Sequence, residues 1–201
     1  MLTWPIYSPH TPFSRFLCAS VPFAFAVRLV LIGQGVLSDT NEEVASMTRG
    51  GNTTELLRGP AMYGAVHVAA TVCFWRSSPT GIMSLIALCV GDGIADIAGR
   101  KFGGRLRWPH SRRKSLAGTA AFVCASTVAG YVYLRLFTCD TLQNIMNDGV
   151  TAGTMKVPEH LLLYTFVVSS VAALVETLPF ENVDNLTLTA AAACTSSLLL
   201  R

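Results

Sequence analysis

The stretch that decides the fold is GDGIADIAGR, residues 91–100, which closes an apolar run about as long as a bilayer is thick. Asp92 and Asp96 stand four positions apart in it, and that spacing puts both carboxylates on one face of a helix. An ionised group near the middle of a bilayer costs roughly 2.5–3.5 kcal/mol on insertion scales. We therefore expect that a chain with two such groups close together needs them for its function.

The composition indicates a membrane protein. The chain has 201 residues, of which 51% are hydrophobic and 13% charged, and its mean hydropathy is +0.47. Soluble domains carry about 25% charged residues. The apolar runs predict helices at residues 16–37, 60–75, 80–99, 115–137, 160–178 and 184–200. The expected fold is therefore an all-α integral membrane protein, a bundle of about six transmembrane helices that forms one domain over residues 1–201.

The basic residues predict the orientation of this bundle. Seven of the fifteen lysines and arginines lie between Arg100 and Lys114. By the positive-inside rule, this loop faces the cytoplasm or the stroma or matrix of an organelle. Counting helices from the loop then brings the remaining polar positions to the same inner face: Asp92, Asp96, Glu176, Asp184 and Asn185.

Two interpretations of the carboxylate pair stay open. Asp92 and Asp96 are suitable ligands for one or two Mg²⁺ ions, which proteins commonly hold with one or two carboxylates plus substrate phosphates. The alternative is a buried salt bridge to Arg28 or Arg100. A second stripe on the same helix contains only small residues and predicts a close helix–helix contact; its members are Gly91, Ala95 and Gly99.

The basic segment, residues 101–114, contains two glycines and a proline and is expected to be an ordered turn and loop. Its cations either bind a nucleoside triphosphate or only set the topology. Ser115 is a plausible N-cap for the next helix, and Gly118 would let a ligand approach the first turn. A helix N-terminus beside Lys114 predicts a phosphate site.

Two further acids lie at the predicted inner face. Glu176 follows a long apolar run, and it is expected to be a general base, another metal ligand or the partner of a basic residue. Asp184 opens the last helix beside Asn185. It is either part of the binding site or a simple N-cap.

These motifs taken together resemble the polyprenol kinase family. The segments that carry the resemblance are GDGIADIAGRKFGG (residues 91–104), RKSLAGT (113–119), ELLRGP (55–60), ETLP (176–179) and DNLT (184–187). The resemblance covers roughly residue 22 to the C-terminus and is closest to the phytol and farnesol kinases of plants and algae. Dolichol kinase and the CDP-diacylglycerol synthases are more distantly similar.

The resemblance implies a CTP-dependent kinase that phosphorylates an isoprenoid alcohol (phytol, geranylgeraniol or farnesol) with Mg²⁺, in prenyl-lipid and tocopherol metabolism of a plastid membrane. It implies that Asp92 and Asp96 hold the metal and that Lys114 holds the phosphates. Arg112 and Arg113 would hold the phosphates together with Lys114, and Arg100 and Lys101 would assist. It also implies that the upstream helices usual in the family are missing, through a truncated gene model or through their loss.

Two rival functions stay open. A membrane cytidylyltransferase resembling CDP-diacylglycerol synthase would release pyrophosphate from CTP, whereas a non-enzymatic small transporter would relay ions through its intramembrane acids. The expected partners are the alcohol, a nucleoside triphosphate and the lipid bilayer, with no nucleic acid. The oligomeric state is left open.

Overall fold

A computed structural model describes residues 13–38, 41–48, 51–75, 78–104, 106–138, 159–178 and 183–200. These residues are predominantly helical. The helices are α1 (Ser14–Gly33), α2 (Asn41–Met47), α3 (Glu55–Arg58), α4 (Pro60–Phe74), α5 (Pro79–Ile86), α6 (Gly93–Phe102), α7 (Leu116–Thr138), α8 (Leu161–Glu176) and α9 (Asp184–Leu199). A π-helix (Ala87–Asp92) joins α5 to α6, and two short strands, β1 (Arg107–Trp108) and β2 (Ser111–Ser115), precede α7.

Each of the six predicted helices has a counterpart whose ends lie within a few residues of the prediction. Pro60 and Pro79 stand at the first position of α4 and α5, where a proline costs nothing because its missing N–H has no intrahelical partner there. The short helices α2 and α3 were not predicted. They lie within the segment between the first two long helices, which the hydropathy pattern presents only as a loop.

Three helical segments in the described residues are long and apolar enough to cross a membrane: Ser14–Gly33, Pro79–Phe102 and Leu116–Leu136. Helix α8 is apolar but shorter. The helical, membrane-type architecture is therefore confirmed, and a crossing by all six helices stays a prediction.

The core lies around α5, in which every residue is buried. Met83 and Leu85 of α5 pack with Phe122 of α7, Val168 of α8 and Leu188 of α9 in one apolar cluster. Glycines let these helices approach closely, as the small-residue stripe predicts. A separate, smaller apolar cluster joins α1, α2, α3 and the start of α4; its members are Leu29, Ile32, Val44, Leu56 and Ala61.

The segment that joins α5 to α6 departs from the regular helix predicted over residues 80–99. Its π-helix occupies Ala87–Asp92 and ends at the first of the two aspartates. Gly91 faces α7 there, since a Cβ atom on it would stand 2.4 Å from Ser126 Oγ and 2.7 Å from Phe122 Cζ. The wider turn lies between the buried α5 and the largely exposed α6.

The prediction of a loop over residues 101–114 is wrong in part. Its first two residues extend α6, and its last residues pair as an antiparallel hairpin in which Arg107 lies opposite Ser115 and Trp108 opposite Ser111. Trp108 Nε1 donates to Thr119 Oγ1 at 2.9 Å and fixes the hairpin to α7. The hairpin forms because the turn residues Pro109 and His110 reverse the chain. Arg105 lies outside the described residues.

Candidate active site

The structure brings Lys114 and Glu176 together across 62 positions of sequence. Lys114 Nζ donates to Glu176 Oε1 at 2.6 Å. Only 6% of the Glu176 side chain is exposed and 29% of the Lys114 side chain, so the pair is largely removed from solvent. Of the roles expected for Glu176, partner of a basic residue is therefore confirmed. Removing either member of such a pair leaves an uncompensated buried charge.

Two more carboxylates act electrostatically on Glu176. Asp92, at the end of the π-helix, and Asp184, in the first turn of α9, both interact electrostatically with Glu176. Asp92 is half-buried, as is Asp184. Neighbouring carboxylates repel one another, and a bound cation relieves that repulsion. We call these four residues the charged end of the bundle: Asp92, Lys114, Glu176 and Asp184.

Asp96 is more exposed than Asp92 and makes a different contact. Arg100 Nε donates to Asp96 Oδ1 at 3.1 Å, and Arg100 Nη2 contacts Asp96 Oδ2. The pair is one helical turn long and its side chains are 70% and 43% exposed. The salt-bridge alternative thus holds for Asp96 with Arg100, but at the surface. An exposed pair of this kind contributes about 0.3–0.5 kcal/mol, so Asp96 can exchange Arg100 for another cation at small cost.

Two carboxylates one turn apart fit a magnesium site that phosphate oxygens complete. Mg²⁺ is usually held by one or two carboxylates, several waters and substrate phosphates rather than by an all-protein cage. Among the described residues, no group of three or more histidine, cysteine, aspartate or glutamate side chains is arranged to hold a metal by itself. Asp92 and Asp96 as metal ligands therefore stay a prediction compatible with the geometry.

Ser115 caps α7 as predicted. Its Oγ accepts a hydrogen bond from the Gly118 N–H at 3.1 Å, and the Leu116 N–H donates to Leu106 O at 3.1 Å. Both N–H groups are thus engaged within the protein. A Cβ on Gly118 would stand 3.0 Å from Ala95 O, so its missing side chain serves the contact with α6. A phosphate at this helix start stays a prediction, with Lys114 as its charged donor.

The other basic residues of the prediction are more dispersed. Lys101 is exposed, and its Nζ lies 5.5 Å from the Phe102 ring centroid. Arg113 is exposed on β2, while the side chain of Arg112 lies outside the described residues. Their support of a phosphate group stays a prediction.

The start of α9 differs slightly from the prediction. The helix begins at Asp184, so the N-cap position belongs to Val183 and Asp184 is the acidic residue of the first turn. The Asn185 N–H donates to Asp184 Oδ1 at 3.1 Å. Asp184 and Asn185 thus lie at the charged end, and their binding role stays a prediction.

The β-hairpin supplies contacts at this end that the sequence did not indicate. His110 and Thr177 are 3.0 Å apart between Nε2 and Oγ1. The Thr177 hydroxyl donates to Leu174 O at 2.7 Å, so the His110 ring N–H is the donor in the first contact. With the Trp108 contact to α7, this bond holds the hairpin across the ends of α7 and α8 and aims Lys114 at Glu176. The only sequence signal for this hairpin was Pro109, which stands between Trp108 and His110.

Several curated plant proteins are similar to this chain. It is 36% identical over 202 aligned positions to a Glycine max protein named Probable phytol kinase 3, chloroplastic. This alignment covers 100% of the chain and 59% of that protein. It is 34% identical over 201 positions to Farnesol kinase, chloroplastic, of Arabidopsis thaliana, with 99% and 61% covered. It is 36% identical over 183 positions to Phytol kinase 1, chloroplastic, of Arabidopsis thaliana, with 90% and 55% covered.

The chain spans 55–61% of the length of these three relatives. No family model matches the chain, and no solved structure matches it.

Proposed function

We propose that this chain, which is homologous over nearly its whole length to the phytol and farnesol kinases of plants, transfers a phosphoryl group to the hydroxyl of an isoprenoid alcohol. The observation that carries this proposal is the charged end of the bundle. Four segments that are distant in sequence each bring an ionisable side chain there, and the apolar helices beneath offer a place for an isoprenoid tail.

The donor we propose is CTP, and the metal is Mg²⁺. Both follow from the family resemblance. The chemistry of the site supports a magnesium nucleotide in general, because Asp92 and Asp96 lie about one helical turn apart and the hairpin that follows them is rich in arginine. When bound, the metal would neutralise charge on the phosphate oxygens. Asp92 and Asp96 are the residues that would hold it.

Lys114 would bind the terminal phosphates. An ammonium group has three donors, so Lys114 can keep its bond to Glu176 Oε1 and still donate to a phosphate oxygen. Glu176 then acts as a positioning residue, because it holds the lysine at the entrance to the charged end. Arg112 and Arg113, which precede Lys114 on the same strand, would add charge along the phosphate chain.

The alcohol oxygen would attack the terminal phosphorus atom, and the bond from that atom to the bridging oxygen of the nucleotide would break. The hydroxyl proton passes to a neighbouring carboxylate or to water, and the products are the isoprenoid monophosphate and a nucleoside diphosphate. Such transfer depends mainly on positioning and on charge neutralisation. Asp92, which is half-buried at the end of the π-helix, is the residue we propose to orient the hydroxyl.

The homologues named chloroplastic and the apolar helices support a plastid membrane as the location. In this setting all six long helices would cross the bilayer with the charged end at the stromal face. The product would supply prenyl-lipid synthesis, including that of tocopherol.

The test is product analysis on the purified chain in detergent with phytol, geranylgeraniol or farnesol. CTP and ATP, each labelled at the γ-phosphate, are supplied separately with Mg²⁺. We expect label in the lipid, with CDP as the other product. Release of labelled pyrophosphate would instead indicate a cytidylyltransferase, and no nucleotide consumption by a folded preparation would overturn an enzymatic function for this chain.

A further inference from the structure

The π-helix ends at Asp92, so the contacts that stabilise its wider turn also determine where the Asp92 side chain lies. A π-turn shifts the backbone hydrogen-bond register, and such turns occur often at functional sites. A shift of the backbone hydrogen-bond register by one residue within Ala87–Asp92 would rotate the Asp92 side chain away from the charged end.

Tyr63 of α4 supplies a polar contact to this turn. Its hydroxyl donates to Leu88 O at 3.0 Å, across 25 positions of sequence. The same hydroxyl lies beside the Cys89 thiol and interacts electrostatically with Asp92. The tyrosine thus contacts the π-helix on its α4 side, between its second residue and its last.

The opposite side of the π-helix is held by packing. Gly91 lies so close to α7 that a Cβ on it would stand 2.7 and 2.8 Å from Phe122 Cζ and Cε2. Phe122 is fully buried, so this wall has little freedom to move. The π-helix therefore packs closely on α7 at Gly91 and is hydrogen-bonded to Tyr63 of α4 at Leu88.

We propose that Tyr63 is a positioning residue for Asp92: its hydrogen bond to Leu88 O sets the π-turn that aims the Asp92 carboxylate at the metal and phosphate site. The inference rests on the proposed function in so far as Asp92 binds a divalent cation. A residue that orients a metal ligand from behind typically changes metal affinity by 10–100-fold when it is removed.

A matched control exists in the same bundle. Tyr164 of α8 also donates its hydroxyl within the interior, to Ser196 of α9, far from Asp92. Tyr63→Phe and Tyr164→Phe each remove one phenolic oxygen and keep the ring. A merely structural role for Tyr63 would make the two variants alike in every measurement.

The experiment measures Mn²⁺ binding to the full chain in detergent, followed by the electron paramagnetic resonance signal of free Mn²⁺. Wild type, Tyr63→Phe, Tyr164→Phe and Asp92→Asn are compared. We expect an approximately 10-fold higher dissociation constant for Tyr63→Phe, a change of less than about 2-fold for Tyr164→Phe, and loss of the site in Asp92→Asn. Hydrogen exchange of residues 87–96 should accelerate in Tyr63→Phe alone.

Equal Mn²⁺ affinity in wild type and Tyr63→Phe would overturn the inference and leave the proposed kinase untouched. Equal loss of affinity in the two tyrosine variants, or no Mn²⁺ site in the wild type, would also overturn it. If the predicted affinity changes appear but no isoprenoid phosphate is formed, the inference stands and the proposed function fails.

Discussion

The two ends of the helix bundle carry different polar groups on the same helical segments: hydroxyl groups at one end and charged groups at the other. At one end Tyr164 donates to Ser196, which in turn donates to Thr80 Oγ1 at 2.9 Å. Twelve positions away along each segment, about 18 Å on a regular helix, the residues are Glu176, Asp184 and Asp92. We call the first three residues the hydroxyl end; the other three belong to the charged end.

The difference indicates which end is expected to bind a ligand. The hydroxyl end is neutral, and its members hydrogen-bond one another, so it stabilises helix packing without outside help. The charged end holds the Lys114–Glu176 ion pair, and Asp92 and Asp184 both repel Glu176. Burying ions costs several kcal/mol that packing alone does not return. An arrangement with that cost is expected where it binds or reacts with something.

The largest expected effect separates the two ends of one helical segment. Asp92→Asn should lower the rate of phosphoryl transfer at least about 100-fold, because it removes a charge that the proposed metal requires, while the protein stays folded. Thr80→Val, at the hydroxyl end of the same segment, should keep the wild-type turnover number. Lipid phosphate formation and elution as a single species by size exclusion are measured for both. Wild-type turnover in Asp92→Asn would reject the metal assignment.

The second comparison concerns stability along α8. Glu176→Gln leaves the Lys114 charge without its partner and should cost about 3 kcal/mol in free energy of unfolding. Tyr164→Phe removes one neutral hydrogen bond and should cost about 1 kcal/mol. Denaturant unfolding in detergent measures both. A double variant, Lys114→Met with Glu176→Leu, should regain most of the stability but no activity.

Equal unfolding free energies for Glu176→Gln and Tyr164→Phe would mean that the ion pair is effectively solvated. Burial of the pair would then carry no special cost, whatever the double variant shows.

The third comparison uses the glycines on either side of Asp92. Gly91→Ala would place a Cβ 2.4 Å from Ser126 Oγ, so it should destabilise the fold by about 1–3 kcal/mol. Gly93→Ala meets no atom within 4 Å and should be neutral or stabilising by up to about 1 kcal/mol. Thermal unfolding of the two variants measures the contrast. The prediction is wrong if Gly93→Ala is the less stable of the two.

The smallest effect tests the cap of α7. Ser115→Ala removes the acceptor of the Gly118 N–H and should cost about 1 kcal/mol. Ser197→Ala, an exposed serine whose hydroxyl donates to Ala193 O within α9, should change the unfolding free energy by less than about 0.5 kcal/mol. A Ser115→Ala variant as stable as wild type would remove the evidence for the cap.

The sequence was sufficient for the six long helical segments, because apolar runs of bilayer length have few alternatives. It also predicted the Ser115 cap and the stripe of Gly91, Ala95 and Gly99, since both depend on neighbours within one or two turns. The π-helix could not be predicted, because it depends on a contact between Tyr63 and Leu88 that exists only after α4 and α5 pack.

The site was foreseen as a set of residues rather than as a set of contacts. Hydropathy and charge predicted that Asp92, Lys114 and Glu176 reach one face. They did not predict that Lys114 pairs with Glu176, because a pairing across 62 positions follows from how the hairpin lies over α8. The hairpin itself was missed because its strands are short and basic, without the alternating apolar pattern of a half-buried strand.

The most direct test of the central claim is to locate the bound nucleotide. The purified chain is photolabelled with 5-azido-CTP in the presence of Mg²⁺ and phytol, and the modified peptides are identified by mass spectrometry. Labels within residues 92–118 or 176–185 that excess CTP prevents are the predicted result. Labels confined to the hydroxyl end, around Thr80, Tyr164 and Ser196, would contradict the claim that the charged end is the active site.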